Sequence, residues 1–199
     1  MDAAAAAQDG RRARRNQNRQ SVINAYIDLM GSGVLEPTRT ELTAACGISG
    51  RSIYRYFPDD GALISAVADH IIGRFGPALA EDYNEGDTLS ERILAFVAGR
   101  LRVYELTAPI TRTARTVRAN DANVVRAFRM VRDSARSHLG EQFSPELEQL
   151  DDGAREELIT LLLAPFLFDS IEYAHDVHAD HDVVSRILQQ HMHRHLAPQ

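Results

Sequence analysis

Apolar residues recur at spacings of three and four along most of the chain, and Val, Ile and Thr do not alternate with polar residues over useful lengths. Spacings of three and four place apolar side chains on one face of an α-helix, whereas a period of two would indicate a strand. The pattern therefore predicts an all-α fold of about nine helices.

Four of these helices are predicted in the first third of the chain. Their expected bounds are 15–30, 39–45, 50–56 and 62–75. Thr38 is expected to cap the second helix, with Glu41 completing a capping box. Gly47 supplies the turn that follows, Ser49 caps the third helix, and Gly76-Pro77 is expected to close the fourth.

The remaining helices are predicted to form a larger domain after an acidic link at 81–87. They are expected near 88–107, 110–118, 121–143, 154–177 and 181–196. Pro109, residues 120–121 and Ser144-Pro145 are expected to separate them, and Pro165 should bend the helix that contains it or free a backbone carbonyl.

Charge is distributed unevenly along the chain, whose net charge is −6. Residues 10–56 contain eight arginines and three acids, a balance of +5, whereas residues 57–199 contain 14 arginines and 23 acids, a balance of −9. Because phosphate neutralisation needs only local positive charge, a basic head on an acidic body predicts a DNA-binding module joined to a second domain.

Composition argues against several other classes of protein. The longest apolar stretch, around 158–168, is far shorter than the ~20 residues of a membrane span, and the N-terminus lacks the apolar core of a signal peptide. A single cysteine, Cys46, excludes an intramolecular disulfide framework and favours a reducing compartment. We therefore expect a cytoplasmic protein that does not contact a membrane.

Candidate chemistry for catalysis or metal binding is weak. No phosphate-binding loop and no nucleophile–base pair is found, so neither an enzyme nor a cofactor is predicted. His191 and His195 share a helix face, but solvated terminal histidines explain them better than a metal site. Cys46 is expected to be a packed thiol rather than a redox sensor.

Two short helices joined by a tight turn carry the functional prediction. Leu42, Ala45, Ile48 and Ile53 are spaced to pack these helices together, with Ala45 small because the helices cross closely. The outward positions of the second of them carry groups that can reach phosphates and base edges. This arrangement predicts a helix-turn-helix at 15–60, preceded by a basic disordered arm at 1–14 and followed by the larger domain at 61–199.

The segment from Arg15 to Val67 resembles the DNA-binding domain of the TetR (tetracycline-repressor-like) family. The similarity is carried by Leu42, Ala45 and Gly47-Ile48-Ser49, and above all by Ile53-Tyr54-Arg55-Tyr56-Phe57-Pro58 followed by Ala62-Leu63-Ile64. It covers about the first third of the chain. The resemblance implies a homodimeric transcription regulator whose larger domain binds a small molecule and forms the dimer.

The resemblance also implies contacts to double-stranded DNA. Arg39 and Thr40 would touch phosphate, whereas Gly50, Arg51 and Arg55 would reach base edges. Residues 11–15 would run along the backbone or the minor groove. The predicted DNA-binding residues are Arg39, Thr40, Ser49, Gly50, Arg51, Ser52, Tyr54, Arg55 and Tyr56.

One position departs from the family pattern. The family usually has a lysine just after the Phe-Pro, where it contacts phosphate, but this chain has Asp60 beside Asp59. Acids at this position repel DNA, although they favour the start of a helix. Weaker phosphate anchoring or a different docking tilt is therefore expected, with more dependence on the arginine arm.

The larger domain is predicted to supply a dimer interface and a ligand pocket. A helix that is apolar all round must be buried all round, and a partner subunit provides the cover. The predicted interface residues are Leu158, Leu162, Phe166, Val184, Ile187 and Leu188. The predicted pocket, for an apolar or aromatic effector, is lined by Phe96, Tyr104, Thr107, Thr111, Phe128, Met130, Phe166 and Tyr173.

Three functions stay open at this point. The first is a repressor that an unknown small ligand releases from a palindromic operator. The second is a constitutive DNA binder or activator without a ligand response. The third is a ligand-binding or scaffold protein whose DNA head is impaired, which Asp59 and Asp60 favour.

Overall fold

The computed structural model describes residues 3–80, 86–118 and 122–197. Within these ranges the chain forms ten α-helices and one 3-10 helix, without a strand, which confirms the predicted all-α fold class. The helices are α1 (Ala3–Gly31), α2 (Arg39–Cys46), α3 (Gly50–Tyr56), α4 (Asp60–Ala80), α5 (Leu89–Arg118), α6 (Ala122–Gln142), α7 (Ser144–Leu147), α8 (Asp152–Leu163), α9 (Phe168–Val177) and α10 (His181–Leu196), with the 3-10 turn Ala164–Phe166 between α8 and α9.

Several helix bounds differ from those predicted. α1 begins at Ala3, so residues 3–14, expected to be a disordered arm, continue the first helix. α4 continues through Gly76-Pro77 to Ala80. α5 joins the two helices predicted on either side of Pro109, because a proline removes one backbone hydrogen bond without necessarily ending a helix. The predicted break at 120–121 and most of the acidic link at 81–87 lie outside the described residues.

Pro165 interrupts the predicted helix 154–177, as expected from its missing N–H. The chain makes a 3-10 turn there, in which the Ala164 carbonyl oxygen accepts hydrogen bonds from the Leu167 N–H at 3.3 Å and the Ser170 hydroxyl at 3.0 Å. The carbonyl that the missing Pro165 N–H leaves free is that of Leu161, four residues earlier, and it bonds to His191 Nε2 at 3.1 Å. In the described part of the chain, no single helix is both long and apolar enough to cross a membrane; the pair Asp152–Phe166 and Phe168–Val177, bent by 46°, meets these criteria only when taken together.

The chain divides into two compact units. The first, the N-terminal unit, comprises Met1–His70 and Pro109–Phe128, and the second, the C-terminal unit, comprises Ile71–Ala108 and Arg129–Gln199. The N-terminal unit therefore contains the predicted helix-turn-helix segment together with the start of α4, the end of α5 and the start of α6.

The core of the N-terminal unit joins α1 to the two short helices. Its buried side chains include Val22, Ile23, Tyr26, Met30, Leu42, Ile53, Phe57, Leu63 and Val67. Ala45 is exposed and Cys46 is half-buried, contrary to the predicted packing of Ala45. The inner stripe of α2 thus runs from Leu42 to Cys46, four residues on, rather than from Leu42 to Ala45.

A close approach explains Gly61, which helix propensity alone disfavours. A Cβ atom at this position would come within 2.6 Å of Oδ1 and 3.0 Å of Cγ in the Asn123 side chain. Only glycine allows the start of α4 and the start of α6 to lie this close together without a shift.

Gly61 and Gly73 lie in the same helix and give opposite predictions. Gly73→Ala is expected to stabilise the protein by about 0.5–1 kcal/mol, because nothing lies within 4 Å of the added carbon and alanine favours the helix. Gly61→Ala is expected to destabilise it by about 1 kcal/mol or more through overpacking against Asn123. Urea unfolding followed by circular dichroism measures both changes, and an equal gain for the two variants would contradict the close approach.

The core of the C-terminal unit is formed by one face of α5 and the inner faces of α6–α10. Its most deeply buried side chains are Phe96, Phe143, Ile93, Leu101, Leu139, Leu147, Leu162 and Met192. Arg92 is also buried, and it pairs with Glu146.

Candidate nucleic-acid interface

The turn between α2 and α3 is built by the three caps predicted from the sequence. Thr38 Oγ1 accepts a hydrogen bond from the Glu41 N–H at 3.2 Å, and Glu41 Oε2 accepts one from the Thr38 N–H at 2.7 Å. The bonds that the Thr38 N–H and the Thr38 hydroxyl donate to the Glu41 carboxylate lower the pKa of Glu41 from its ordinary value. Gly47 adopts the left-handed conformation with φ 69°, and Ser49 Oγ accepts from the Ser52 N–H at 3.4 Å. The turn that orients α3 is therefore fixed locally.

The inner face of α3 is held in the core of the N-terminal unit. Ile53 and Phe57 are buried, and the guanidinium of Arg19 on α1 lies over the Phe57 ring at 5.1 Å. Since one face is fixed in this way, the side chains on the opposite face keep a defined direction. Arg19 was not among the predicted DNA-binding residues. The feature of the sequence that could have identified it is its place in the basic segment that begins at Arg11.

The outer face of α3 carries Arg51, Tyr54 and Arg55. All three are exposed, with Tyr54 61% exposed, and Thr40 and Ser49 are exposed beside them. Gly50, Ser52 and Tyr56 are half-buried. Five of the nine predicted DNA-binding residues are therefore exposed, and the other four, Arg39 among them, are half-buried.

Arg39 has partners within its own unit. Its two terminal nitrogens donate to the Phe57 carbonyl oxygen at 3.4 Å, and its guanidinium lies over the Tyr54 ring at 5.4 Å. Sequence analysis predicted only a phosphate contact for this residue. Arg39 therefore also has a structural role. It donates to a carbonyl at the end of α3 and lies against the exposed Tyr54 ring.

Tyr56 links α3 to α1 through its hydroxyl group. The oxygen accepts hydrogen bonds from Asn18 Nδ2 at 3.5 Å and from Arg55 Nη2 at 3.4 Å. These bonds, first Asn18 and then Arg55, lower the pKa of Tyr56, and the nearby charge of Arg15 acts in the same direction. Asn18 was missed by sequence analysis because it belongs to no recognisable motif.

Arg11, Arg12, Arg14 and Arg15 are exposed on α1. They were expected on a mobile arm, but the structure has them on a continuous helix, where they are clustered within little more than one turn. Their positive charge is therefore carried by a rod rather than by an extended strand.

The acidic pair at the start of α4 has a structural role. Asp59 Oδ1 accepts a hydrogen bond from the Ala62 N–H at 2.7 Å and so caps the helix, while Asp60 is its first residue. Both acids border an open groove of about 600 Å³ that Gly61, Ser65, Asn123 and Arg126 also line. The carboxylate of Asp59 therefore stabilises the first turn of α4.

The residues predicted to line a ligand pocket are divided between the two units. Phe96, Tyr104, Thr107, Met130, Phe166 and Tyr173 belong to the C-terminal unit, whereas Thr111 and Phe128 belong to the N-terminal unit. Phe96 packs edge-on against Phe166 with ring centroids 5.3 Å apart, and Tyr104 stacks on His175 at 5.5 Å. Tyr173 is 71% exposed and does not pack with them.

Two open grooves on the described part of the chain lie elsewhere. One is the groove beside Asp59, and the other, of about 490 Å³, lies between α1 and α2 and is lined by Ser21, Asn24, Asp28 and Cys46 among others. Neither contains a predicted pocket residue.

Four of the six predicted dimer residues are inside their own subunit. Leu162, Phe166, Val184 and Leu188 are buried in the core of the C-terminal unit, because the inner stripes of α8 and α10 face the rest of that core. Leu158 is half-buried, and only Ile187 is exposed. The predicted choice of residues therefore needs correction.

A different set of apolar side chains is exposed on the same helices. Leu161 on α8 is 43% exposed and Ile187 on α10 is 42% exposed. They are neighbours, since His191, one turn after Ile187, bonds through Nε2 to the Leu161 carbonyl oxygen at 3.1 Å. Burial lowers the pKa of His191. We call Leu161, Ile187 and His191 the α8–α10 face.

A scan against protein-family models and a search of curated proteins give no match to this chain. The TetR resemblance therefore stays a prediction from the motif residues.

Proposed function

We propose that the protein is a sequence-specific DNA-binding transcription regulator of the TetR type, with α3 as its recognition helix. The observation that carries the proposal is the exposed row of Arg51, Tyr54 and Arg55 on a helix whose other face is fixed by Ile53 and Phe57. Guanidinium groups that project from a rigid helix can form bidentate hydrogen bonds with guanine, and tyrosine hydroxyls can bond phosphates.

The dimensions and the charge of this surface suit a DNA groove. A helix of seven residues is about 10 Å long, and the major groove is about 12 Å wide. The positive balance of residues 10–56, +5, is concentrated in the same unit, and it includes the cluster of arginines on α1 that can contact the phosphate backbone.

We further propose a cytoplasmic homodimer that binds a palindromic operator and is released by a small-molecule effector. A two-fold dimer presents two recognition helices to half-sites about 34 Å apart, which is why such proteins bind symmetric sequences. The exposed α8–α10 face supplies apolar surface that a second copy can cover. Repression is the simplest outcome, because a bound dimer blocks access to the DNA under it.

Selection from a random duplex library with the purified full chain tests the proposal. We expect enrichment of a symmetric motif with half-sites about one helical turn apart. Affinity for that motif should fall about 1,000-fold or more between 50 and 200 mM salt, as expected for six to ten phosphate contacts. A library that stays unenriched, or binding that does not respond to salt, would contradict a DNA-binding function.

A further inference from the structure

Two histidines of α10 lie on the same stripe as the exposed Ile187. Ile187, His191 and His195 follow each other at intervals of four, so their side chains lie along one side of the helix. The imidazole rings of His191 and His195 have centroids 4.8 Å apart, and both side chains are half-buried. Toward the end of α10 the stripe therefore changes from an apolar side chain to two neighbouring imidazoles, the side chain that most often binds zinc, copper or nickel.

The His191 ring is oriented by a backbone carbonyl of α8. Its Nε2 lies 3.1 Å from the Leu161 carbonyl oxygen, which Pro165 leaves without its usual helical donor. Because a carbonyl oxygen only accepts hydrogen bonds, Nε2 carries the hydrogen, and Nδ1 of the neutral ring carries the lone pair. Histidines that bind metals are held in the same way, with one ring nitrogen donating to a carbonyl or a carboxylate and the other binding the ion.

The spacing of the two rings suits a single metal ion. Zinc binds imidazole nitrogens at about 2.0–2.1 Å, so two imidazoles on one tetrahedral zinc ion have centroids about 5 Å apart. The observed 4.8 Å agrees with this separation. Helical zinc sites also use two histidines at positions i and i+4, which lie on one face of the helix. The sequence alone favoured solvated histidines here, because neither the ring spacing nor the bond to Leu161 is visible in it.

One chain supplies only part of such a site. Among the described residues, no group of three or more His, Cys, Asp or Glu side chains is placed to hold a metal ion. A tetrahedral zinc ion bound by His191 and His195 therefore has two positions left for other ligands. His191 belongs to the α8–α10 face, with His195 one turn beyond it. Because a two-fold interface brings the same patch of both copies together, a dimer formed by this face presents two more imidazoles.

We propose that His191 and His195 bind a zinc ion shared between two copies of the chain, with the same pair of the second copy completing a four-histidine site. The ion lies on the two-fold axis of the dimer. Four neutral imidazoles form a donor set that zinc accepts in tetrahedral geometry. Zinc strengthens the dimer, because the complete site exists only when two chains associate. The shared site rests on the proposed homodimer, whereas it does not depend on DNA binding.

Calorimetric titration of the full chain with zinc chloride tests the stoichiometry. The protein is first stripped of metal with EDTA, which is then removed by dialysis. We expect saturable binding of one zinc ion per two chains. Binding of one ion per chain, or heat that does not saturate, overturns the shared site.

Cobalt(II) gives a spectroscopic readout of the coordination geometry. A tetrahedral cobalt site absorbs visible light much more strongly than an octahedral ion that keeps most of its water ligands, and geometry in turn reports the ligand set. We expect an intense visible band that saturates at one cobalt ion per two chains and is lost when zinc is added. The weak spectrum of octahedral cobalt at saturation overturns the four-histidine site.

Matched histidine variants assign the ligands. His195→Ala should lower the zinc affinity at least about 100-fold, since it removes two of the four ligands and even the loss of an outer partner of a ligand costs about 10–100-fold. This variant leaves the bond between His191 and Leu161 in place, so it tests the site without disturbing that contact. His193→Ala removes a half-buried histidine on another side of α10 and should retain binding. Equal zinc affinity of the two variants overturns the proposal.

Sedimentation equilibrium with EDTA or with zinc separates the site from the proposed dimer. At a free zinc concentration of about 100 times its Kd for the dimer, the dimer Kd should fall about 100-fold, and His195→Ala should abolish this change. A dimer whose Kd is the same in EDTA and in zinc overturns the zinc site and leaves the homodimer standing. A chain that is monomeric in both overturns the homodimer and the shared site together. Failure to select DNA in EDTA contradicts the DNA-binding function and leaves the zinc results unaffected.

Discussion

Reversal of two charges on α3, in the double variant Arg51→Glu/Arg55→Glu, is expected to lower the affinity for the selected operator about 1,000-fold. Each good bidentate contact to a base contributes about 1–3 kcal/mol, so the loss of two contacts costs about 2–6 kcal/mol before the repulsion between glutamate and phosphate is added. Because both side chains are exposed, Tm should change by no more than about 2 °C. A mobility-shift titration on the operator measures the loss.

A matched pair of arginines separates local contacts from net charge. Arg132→Glu/Arg186→Glu makes the same change in total charge at two exposed positions on α6 and α10, in the other compact unit. It is expected to weaken binding less than about threefold at 150 mM salt, where the Debye length is about 8 Å. Sequence-selective binding that survives the α3 double variant would remove α3 from the interface.

The helix-turn-helix segment was the part of the chain that sequence analysis described best. Thr38, Gly47 and Ser49 act within a few residues of their own positions, and capping and turn chemistry depends mainly on such local geometry. The caps, the turn and the outward direction of Arg51 and Arg55 could therefore be predicted without any knowledge of tertiary contacts.

The first helix shows the opposite case. The segment 3–14 consists of alanine, glycine and polar residues, mostly arginine, so it has no apolar periodicity that could predict a helix. Alanine and arginine nevertheless rank among the best helix formers, and this intrinsic preference explains why α1 begins at Ala3. Helix propensity therefore predicts this part of α1, whereas apolar periodicity does not.

Asp59 and Asp60 suggested impaired DNA binding in the sequence, although Asp59 caps a helix in the structure. The departure from the family pattern favoured an impaired DNA head, because an acid replaces the usual lysine. The bond from the Ala62 N–H to Asp59 shows that the first acid serves the start of α4. The pair is consequently weaker support for an impaired head than the sequence alone indicated.

The choice between inner and outer faces of α8 could not be made from the sequence. Residues 158–168 are apolar nearly all round, so no stripe stands out, and neighbouring positions such as Leu161 and Leu162 differ by about 100° around the helix. Only the packing of α10 against α8 shows that Leu162 faces the core and that Leu161 is outside. On α10 the stripe of Val184 and Leu188 was recognisable, but the sequence could not show whether it faces the core of its own chain or a partner subunit.

The corrected face gives the second prediction. Leu161→Glu/Ile187→Glu is expected to convert the proposed homodimer into a folded monomer, raising the dimer Kd at least 100-fold. In a two-fold interface each glutamate meets apolar surface of the partner and lies near the same substitution in the other copy, so the charges are both desolvated and repelled. Light scattering at micromolar concentration should show a mass near 22.1 kDa, the mass of one chain.

Two further variants decide whether the α8–α10 face, rather than any exposed apolar residue, forms the dimer. Leu94→Glu alters a leucine on α5 that is 55% exposed and should leave the dimer intact. Leu162→Ala, on the inner stripe, should cost about 2–5 kcal/mol of stability without selectively producing a folded monomer, because it opens a cavity within one subunit. A dimer that survives Leu161→Glu/Ile187→Glu but is lost in Leu94→Glu would move the interface to α5. If the unsubstituted protein is a folded monomer, it presents only one recognition helix to DNA. There would then be no reason to expect a palindromic operator.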